Sequence, residues 1–246
     1  MNDAKYYLLS ALAAIIALTV HEYAHGYVAY RLGDDTAKNS GRLSLNPVRH
    51  LDPIGALCMV FFHVGWARPV PINPRYFKNP KRGFALSALA GPLSNIILGF
   101  LGGGLYLFTY ALLRDVSFPS QNLAYNLATN LLLFLFVFHS VNIGLGVFNL
   151  LPLPPFDGSR LLNVLLPEKV YFGVMKYERQ IYLGVLGWLL LGDVAKRALL
   201  SVPFIAKSPV LSTVAGIFSL SDLLSLAIGE LSSLIMRFWQ LIPFLA

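Results

Sequence analysis

The residues most able to do chemistry are His21, Glu22 and His25, which stand in the order His-Glu-Tyr-Ala-His near the end of the first apolar stretch. On a helix, positions four apart share one face, so both imidazoles can reach a single ion. Neutral imidazole is a good zinc ligand. Glu22 lies beside the first imidazole, placed to take a proton from a water on that ion. In a chain of 246 residues with 5 His and few Glu, this pattern arises by chance roughly 0.002 times. The bland alternative is a pair of histidines hydrogen-bonded inside a helix bundle, with Glu22 paired to an arginine.

A catalytic zinc takes three protein ligands and keeps one position for water. His50, His63, His139 and the carboxylates are candidates for the third. His50 belongs to a loop and His63 to a short apolar segment. His139 falls in mid-span, about 16–17 Å of helix from Leu150, whereas His25 and His21 lie about 7–8 and 14 Å from Tyr30. Asp157 is the better candidate. It sits in Asn149-Leu150-Leu151-Pro152-Leu153-Pro154-Pro155-Phe156-Asp157-Gly158, where the prolines remove backbone donors and stop the helix. Non-helical backbone at membrane depth is tolerated only inside protein or beside a water-filled cavity. A plain proline-rich turn at the membrane surface is the competing reading of this stretch.

These side chains need elements to position them, and the composition says in which solvent. Apolar residues make up 56% of the chain and charged ones 13%, with a mean hydropathy of +0.63. Soluble domains carry about 25% charged residues, so the bilayer is the solvent this surface requires. Cys58 is the one cysteine, which excludes an intrachain disulfide and a cysteine-rich zinc site. The net charge of +7 does not indicate nucleic acid, because the basic residues flank apolar runs.

Apolar stretches run over Tyr6–Tyr30, about Phe84–Leu113, about Leu123–Leu150 and, interrupted by Asp193, Lys196 and Arg197, about Ile181–Leu200. The first three are long enough to cross the hydrocarbon core with tilt, and the fourth is a weaker span. No small-x-small cleavage site follows Lys5 and the run after it, so the first stretch reads as a retained helix. Residues 37–80 are rich in Pro, Gly and Asn. Within them Gly41–Pro47 alternates like a short strand, Ile54–Trp66 has the length of a re-entrant or interfacial segment, and Arg68–Ile72 reads as extended. Leu220, Leu223, Leu224, Ala227, Leu231, Leu234, Ile235 and Phe238 recur at helical spacing, an amphipathic helix that fits the membrane surface, a fifth span or a packing partner. Residues 31–82 and 151–180 hold 13 of the 19 basic residues. Basic loops favour the cytoplasm, so the first helix is expected to run inward, the second outward and the third inward.

His-Glu-x-x-His in a membrane helix, followed by Asn149-x-x-Pro152-x-x-x-x-Asp157-Gly158 at the end of a later one, resembles the site-2 protease family. Gly91-Pro92-Leu93-Ser94-Asn95 resembles a third family element, and the match spans about Tyr6 to Gly158. The resemblance implies one catalytic zinc ion held by His21, His25 and Asp157, with Glu22 as general base. It implies that Asn149 orients substrate or stabilises the oxyanion. Substrate contacts are expected at Asn95, Arg42 and Asn46. It also implies that residues 37–72 form a small sheet and membrane loop near the site, whose edge takes up substrate as an added strand.

The expected fold is therefore an all-α polytopic membrane protein. It has a three-helix catalytic core, further C-terminal helices, and a small β-hairpin or sheet with a re-entrant loop after the first helix. Residues 1–246 are expected to form a single membrane-embedded protease domain, the core over about 6–158 and a C-terminal helical region over about 159–246. Unlike larger family members, no helix is expected ahead of the one with His21, nor a PDZ-like insert or a C-terminal regulatory domain. The expected partners are a transmembrane protein substrate and the lipid bilayer, with a homo-oligomer or an adaptor left open. The expected location is a prokaryotic plasma membrane, the site open to the cytoplasm. The rival readings are a zinc transporter, which would spread transient ligands along a path, and an inactive scaffold that binds transmembrane helices.

Overall fold

The computed structural model describes residues 3–52, 55, 67–119, 122–208, 210–211 and 219–245. It is mostly helical, and three helices are long and apolar enough to cross a membrane: α1 (Asp3–Arg31), α3 (Pro80–Leu113) and α4 (Leu123–Asn149). A single turn, α2 (Thr36–Asn39), follows α1. After α4 come α5 (Gly158–Leu165), α6 (Glu168–Met175), α7 (Glu178–Leu200), α8 (Pro203–Lys207) and α9 (Leu220–Gln240).

The three long helices pack on one another with α3 in the middle, against both α1 and α4. In lipid, apolar surface gives helices no reason to associate, so close packing and interhelical hydrogen bonds must do it. The sequence supplies both on i, i+4 stripes. On α1 the stripe is Ala13, Ala17, His21, His25 and Ala29, all buried. On α3 it is Ser87, Gly91, Asn95, Gly99 and Gly103, also buried. On α4 the inward residues include Leu135, His139, Asn142, Ile143 and Gly146. The large apolar side chains, among them Leu8, Leu12, Ile97, Leu101, Leu105, Leu127 and Leu131, point outward. This inversion, polar and small inside with Leu and Ile outside, is what a bilayer-embedded bundle requires.

The spans have clear ends. Gly33, with φ of 105°, takes the left-handed conformation that closes α1, and Asp34 N–H returns to Ala29 O at 3.0 Å. Asn79 caps α3, accepting from Arg82 N–H at 3.1 Å, with Pro80 at the first helical position. Asn122 caps α4 in the same way.

The sequence reading needs correction in two places. Gly41–Pro47 is not a strand. Gly41 adopts φ of 67°, and Asn46 turns its side chain to Val48 N–H at 3.0 Å to cap a short 3-10 turn at Pro47–Arg49. Among the described residues there is no sheet, only an isolated antiparallel bridge between Leu51 and Ala67. The short apolar piece expected to re-enter the membrane, Ile54–Trp66, lies outside the described residues apart from Gly55. The helix expected as a fourth span does form, as α7, but Glu178, Arg179, Asp193, Lys196 and Arg197 leave it no long uncharged stretch, and it is not among the three spanning candidates. Finally, α9 packs against α3, α4 and α7. Trp239 Nε1 donates to Phe100 O at 2.9 Å, and Trp239 covers Gly104, where a Cβ would meet its ring at 2.5 Å.

Candidate metal centre

α1 brings His21 and His25 to the face that meets α3 with their rings 4.5 Å apart and nearly perpendicular. Each ring is fixed through its Nδ1. His21 Nδ1 lies 2.6 Å from Asn95 Oδ1, and His25 Nδ1 lies 2.7 Å from the Ser87 carbonyl. A carbonyl only accepts, so His25 must carry its proton on Nδ1. Asn95 spends its amide nitrogen on Ala17 O at 3.1 Å and Asn142 Oδ1 at 3.0 Å, so its oxygen faces His21 and that ring is also protonated on Nδ1. Both Nε2 atoms then point away from these supports and towards Asp157. They sit 3.0 Å apart, and Asp157 Oδ2 lies 3.0 Å from the first and 3.2 Å from the second.

Two imidazole nitrogens and a carboxylate oxygen that meet at one point are a donor set for a metal cation. His21, His25 and Asp157 are the group whose ligand atoms meet in this way among the described residues. Zinc held tetrahedrally at about 2.0–2.2 Å places its ligands roughly 3.3 Å apart, so the set fits zinc. Burial works to raise the Asp157 carboxyl, but the hydrogen bonds and charges of the two imidazoles prevail and hold it well below the usual carboxylate range, as a ligand anion. The imidazole-to-amide and imidazole-to-carbonyl bonds are the supports that orient histidine ligands in metal sites.

Local sequence explains why this spot is available. Gly91 faces the imidazoles, and a Cβ there would come within 2.7 Å of His21 Cε1 and closer still to His25. Pro92 removes an N–H from the α3 ladder at the same level, next to the turn whose Ser87 carbonyl takes the His25 proton. Asp157 is presented by the break after α4. Gly158 is folded so tightly onto that helix end that a Cβ would meet Leu151 O at 2.5 Å. Phe156 pins the break by stacking edge-on to Phe148 at 4.4 Å and burying itself against Val185 and Leu220.

Glu22 is buried beside the centre, and its Oε2 accepts from Val70 N–H at 2.9 Å. Arg42 is buried too, its guanidinium donating to the carbonyls of Arg68 and Pro69. Asn95 is wholly buried between α1 and α4, held to His21. Asn149 bonds within α4, donating to Leu145 O at 3.1 Å, and Asn46 stays on the exposed turn that it caps. Of the other histidines considered as ligands, His50 bonds Ser44 O at 2.6 Å, and His139 is tied to Gly99 O and Ser232. His63 lies outside the described residues. Sequence reasoning passed over Ser87, Val70 and Asn142 and named Gly91 only as part of the Gly-Pro element. For Asn142 there was a signal, an amide inside an otherwise apolar span.

Comparison with known proteins agrees with this chemistry. The profile of peptidase family M50 matches residues 9–191. The Bacillus subtilis protein YwhC, which bears a zinc metalloprotease name, is 43% identical over 175 residues, covering 69% of this chain and 77% of its own. Zinc metalloprotease MJ0392 of Methanocaldococcus jannaschii is 26% identical over 176 residues, and Rip2 of Mycolicibacterium smegmatis, also under a zinc metalloprotease name, is 26% identical over 104. The matched parts are 39% and 40% of those two relatives' own lengths. No solved structure gives a significant match. With a His-His-Asp centre among membrane-spanning helices and these relatives, the chain belongs to peptidase family M50, the site-2 proteases, and is an integral-membrane zinc metalloprotease.

Proposed function

We propose that this protein is an intramembrane endopeptidase that hydrolyses peptide bonds of transmembrane or membrane-proximal protein substrates, with zinc held by His21, His25 and Asp157 and with Glu22 as general base. The observation that carries this reading is the convergence of two imidazole Nε2 atoms and a carboxylate oxygen inside the helical body, with a second buried carboxylate beside them. A bound zinc ion supplies Lewis-acid activation of a water and of the scissile carbonyl. Glu22 takes the proton of the attacking water and returns it to the leaving amide nitrogen. Asn149, at the last position of α4, is proposed to turn from Leu145 O to the substrate carbonyl and stabilise its developing negative charge. A peptide bond in a stable helix is shielded, so the substrate must unwind locally to be cut.

The whole chain is proposed to act as one unit, because the Asp157 break is held by Phe156 against side chains of α7 and α9. The excess of Arg and Lys in residues 31–82 and 151–180 supports a site open to the cytoplasm.

The test is cleavage of a transmembrane model substrate by purified protein, wild type against E22Q, with zinc measured in both. E22Q is expected to keep one zinc and lose cleavage by at least about a thousandfold. Cleavage by E22Q at the wild-type rate would remove Glu22 from the chemistry.

A further inference from the structure

The backbone over Arg68–Asn73 is gripped from several directions. Arg68 N–H donates to His50 O at 2.7 Å, Val70 N–H donates to Glu22 Oε2 at 2.9 Å, and Asn73 N–H donates to Asp34 Oδ2 at 2.7 Å. Arg42 Nη2 donates to the carbonyls of both Arg68 and Pro69. Pro69 and Pro71 have no N–H and their φ angles are fixed, so Val70 carries the backbone donor between them. The Pro69 carbonyl and the Val70 N–H belong to the same planar peptide group. Arg42 holds that plane by its oxygen, and Glu22 takes the hydrogen on its opposite edge.

We propose that Arg42 is a positioning residue for the general base: by holding the Pro69–Val70 peptide plane, it aims the Val70 N–H at Glu22 and so fixes the carboxylate beside the metal centre. The proposal rests on the reading of Glu22 as base, and it replaces the direct substrate contact that the sequence suggested for Arg42. The burial of Arg42, with 8% of its surface exposed, favours it. Both carbonyl bonds are made by Nη2, and they hold the guanidinium against its own chain. Arg42 is itself held in place, since its N–H donates to Ala37 O at 2.8 Å after the Gly41 turn, and Arg49 closes on the Gly41 carbonyl.

The experiment measures kcat, KM and zinc content for R42Q, R42K, V70P and the double variant R42Q/V70P on the transmembrane model substrate. V70P removes the N–H that Glu22 accepts. A hydrogen bond to a charged group is worth enough that R42Q and V70P should each lower kcat about 10- to 100-fold, with KM within about twofold and one zinc retained. R42K, which keeps a donor at the same place, should recover part of the loss. The double variant should be no slower than the slower single variant, because both changes break the same relay. A raised KM with unchanged kcat, loss of zinc in R42Q, or losses that multiply in the double variant would each overturn the proposal. If R42Q fails to accumulate in membranes, the cycle of R42K with V70P reads the same coupling. Active E22Q would sink the base itself, whereas inactive E22Q with multiplying losses sinks only the role given to Arg42.

Discussion

Two places in this bundle bury histidine, and they come to opposite ends. His139 on α4 is fully buried and spends both ring nitrogens, Nδ1 on Gly99 O at 2.7 Å and Nε2 on Ser232 of α9. It ties three helices together and has no electron pair left over. His21 and His25 are buried to a similar degree, but each spends only Nδ1, on Asn95 and on Ser87 O, and their Nε2 atoms face Asp157. Burial and imidazole are common to both places. What separates them is whether the surroundings supply one partner per ring or two, and whether a carboxylate reaches the same point. A histidine in a membrane helix is therefore a metal ligand or a structural clasp according to what its second nitrogen meets.

Changing the residues on each side of this contrast should break or sharpen it. The largest effect is expected for D157A, which removes the carboxylate that both Nε2 atoms face. Zinc content should fall well below one per chain and cleavage by at least about a thousandfold. A chelator should do the same to the wild type, with zinc restoring activity, as metal analysis and the cleavage assay can follow. N95A comes next. It removes the acceptor that fixes the His21 ring but leaves all three ligands, so zinc affinity should fall by about 10–100-fold and excess zinc should recover cleavage. Full affinity in N95A, measured by competition with a chromogenic chelator, would mean that packing alone orients the ring. The smallest effect on chemistry belongs to H139A. Zinc and kcat should stay within about twofold of wild type, while thermal unfolding in detergent shows a loss of about 1–2 kcal/mol from the broken α3–α4–α9 clasp. Loss of zinc in H139A would erase the distinction between the two places.

Much of the centre was legible because its signals are local. The fourfold spacing of His21 and His25 needs only a helix to become a shared face. The prolines at 152, 154 and 155 needed no partner to end α4 and expose a carboxylate. The supports were harder to read. Asn95, Ser87 O and Val70 N–H come from 48 to 74 residues away in the chain, and an isolated Asn or Ser in an apolar run does not say which residue it will face. Alternation at Gly41–Pro47 suggested a strand, but one left-handed glycine and one capping asparagine were enough to turn the chain. A strand also needs a neighbour, which no local pattern can supply. α9 was equally open, because an amphipathic face fits lipid, a partner or the bundle itself. Here the small Gly103 and Gly104 surfaces of α3 accept Met236 and Trp239.

The sequence by itself determined the solvent, the three long spans, the ligand types and the chemistry they can do, since each follows from composition and from spacing along a single helix or break. Tertiary structure alone decided the register of α1 on α3, and with it which ring nitrogen meets its support and which faces Asp157. It also decided that the backbone at Val70 meets Glu22. Hydrogen-bond geometry acts over about 3 Å, and no pattern in one dimension fixes a distance of that size between segments brought together only by packing.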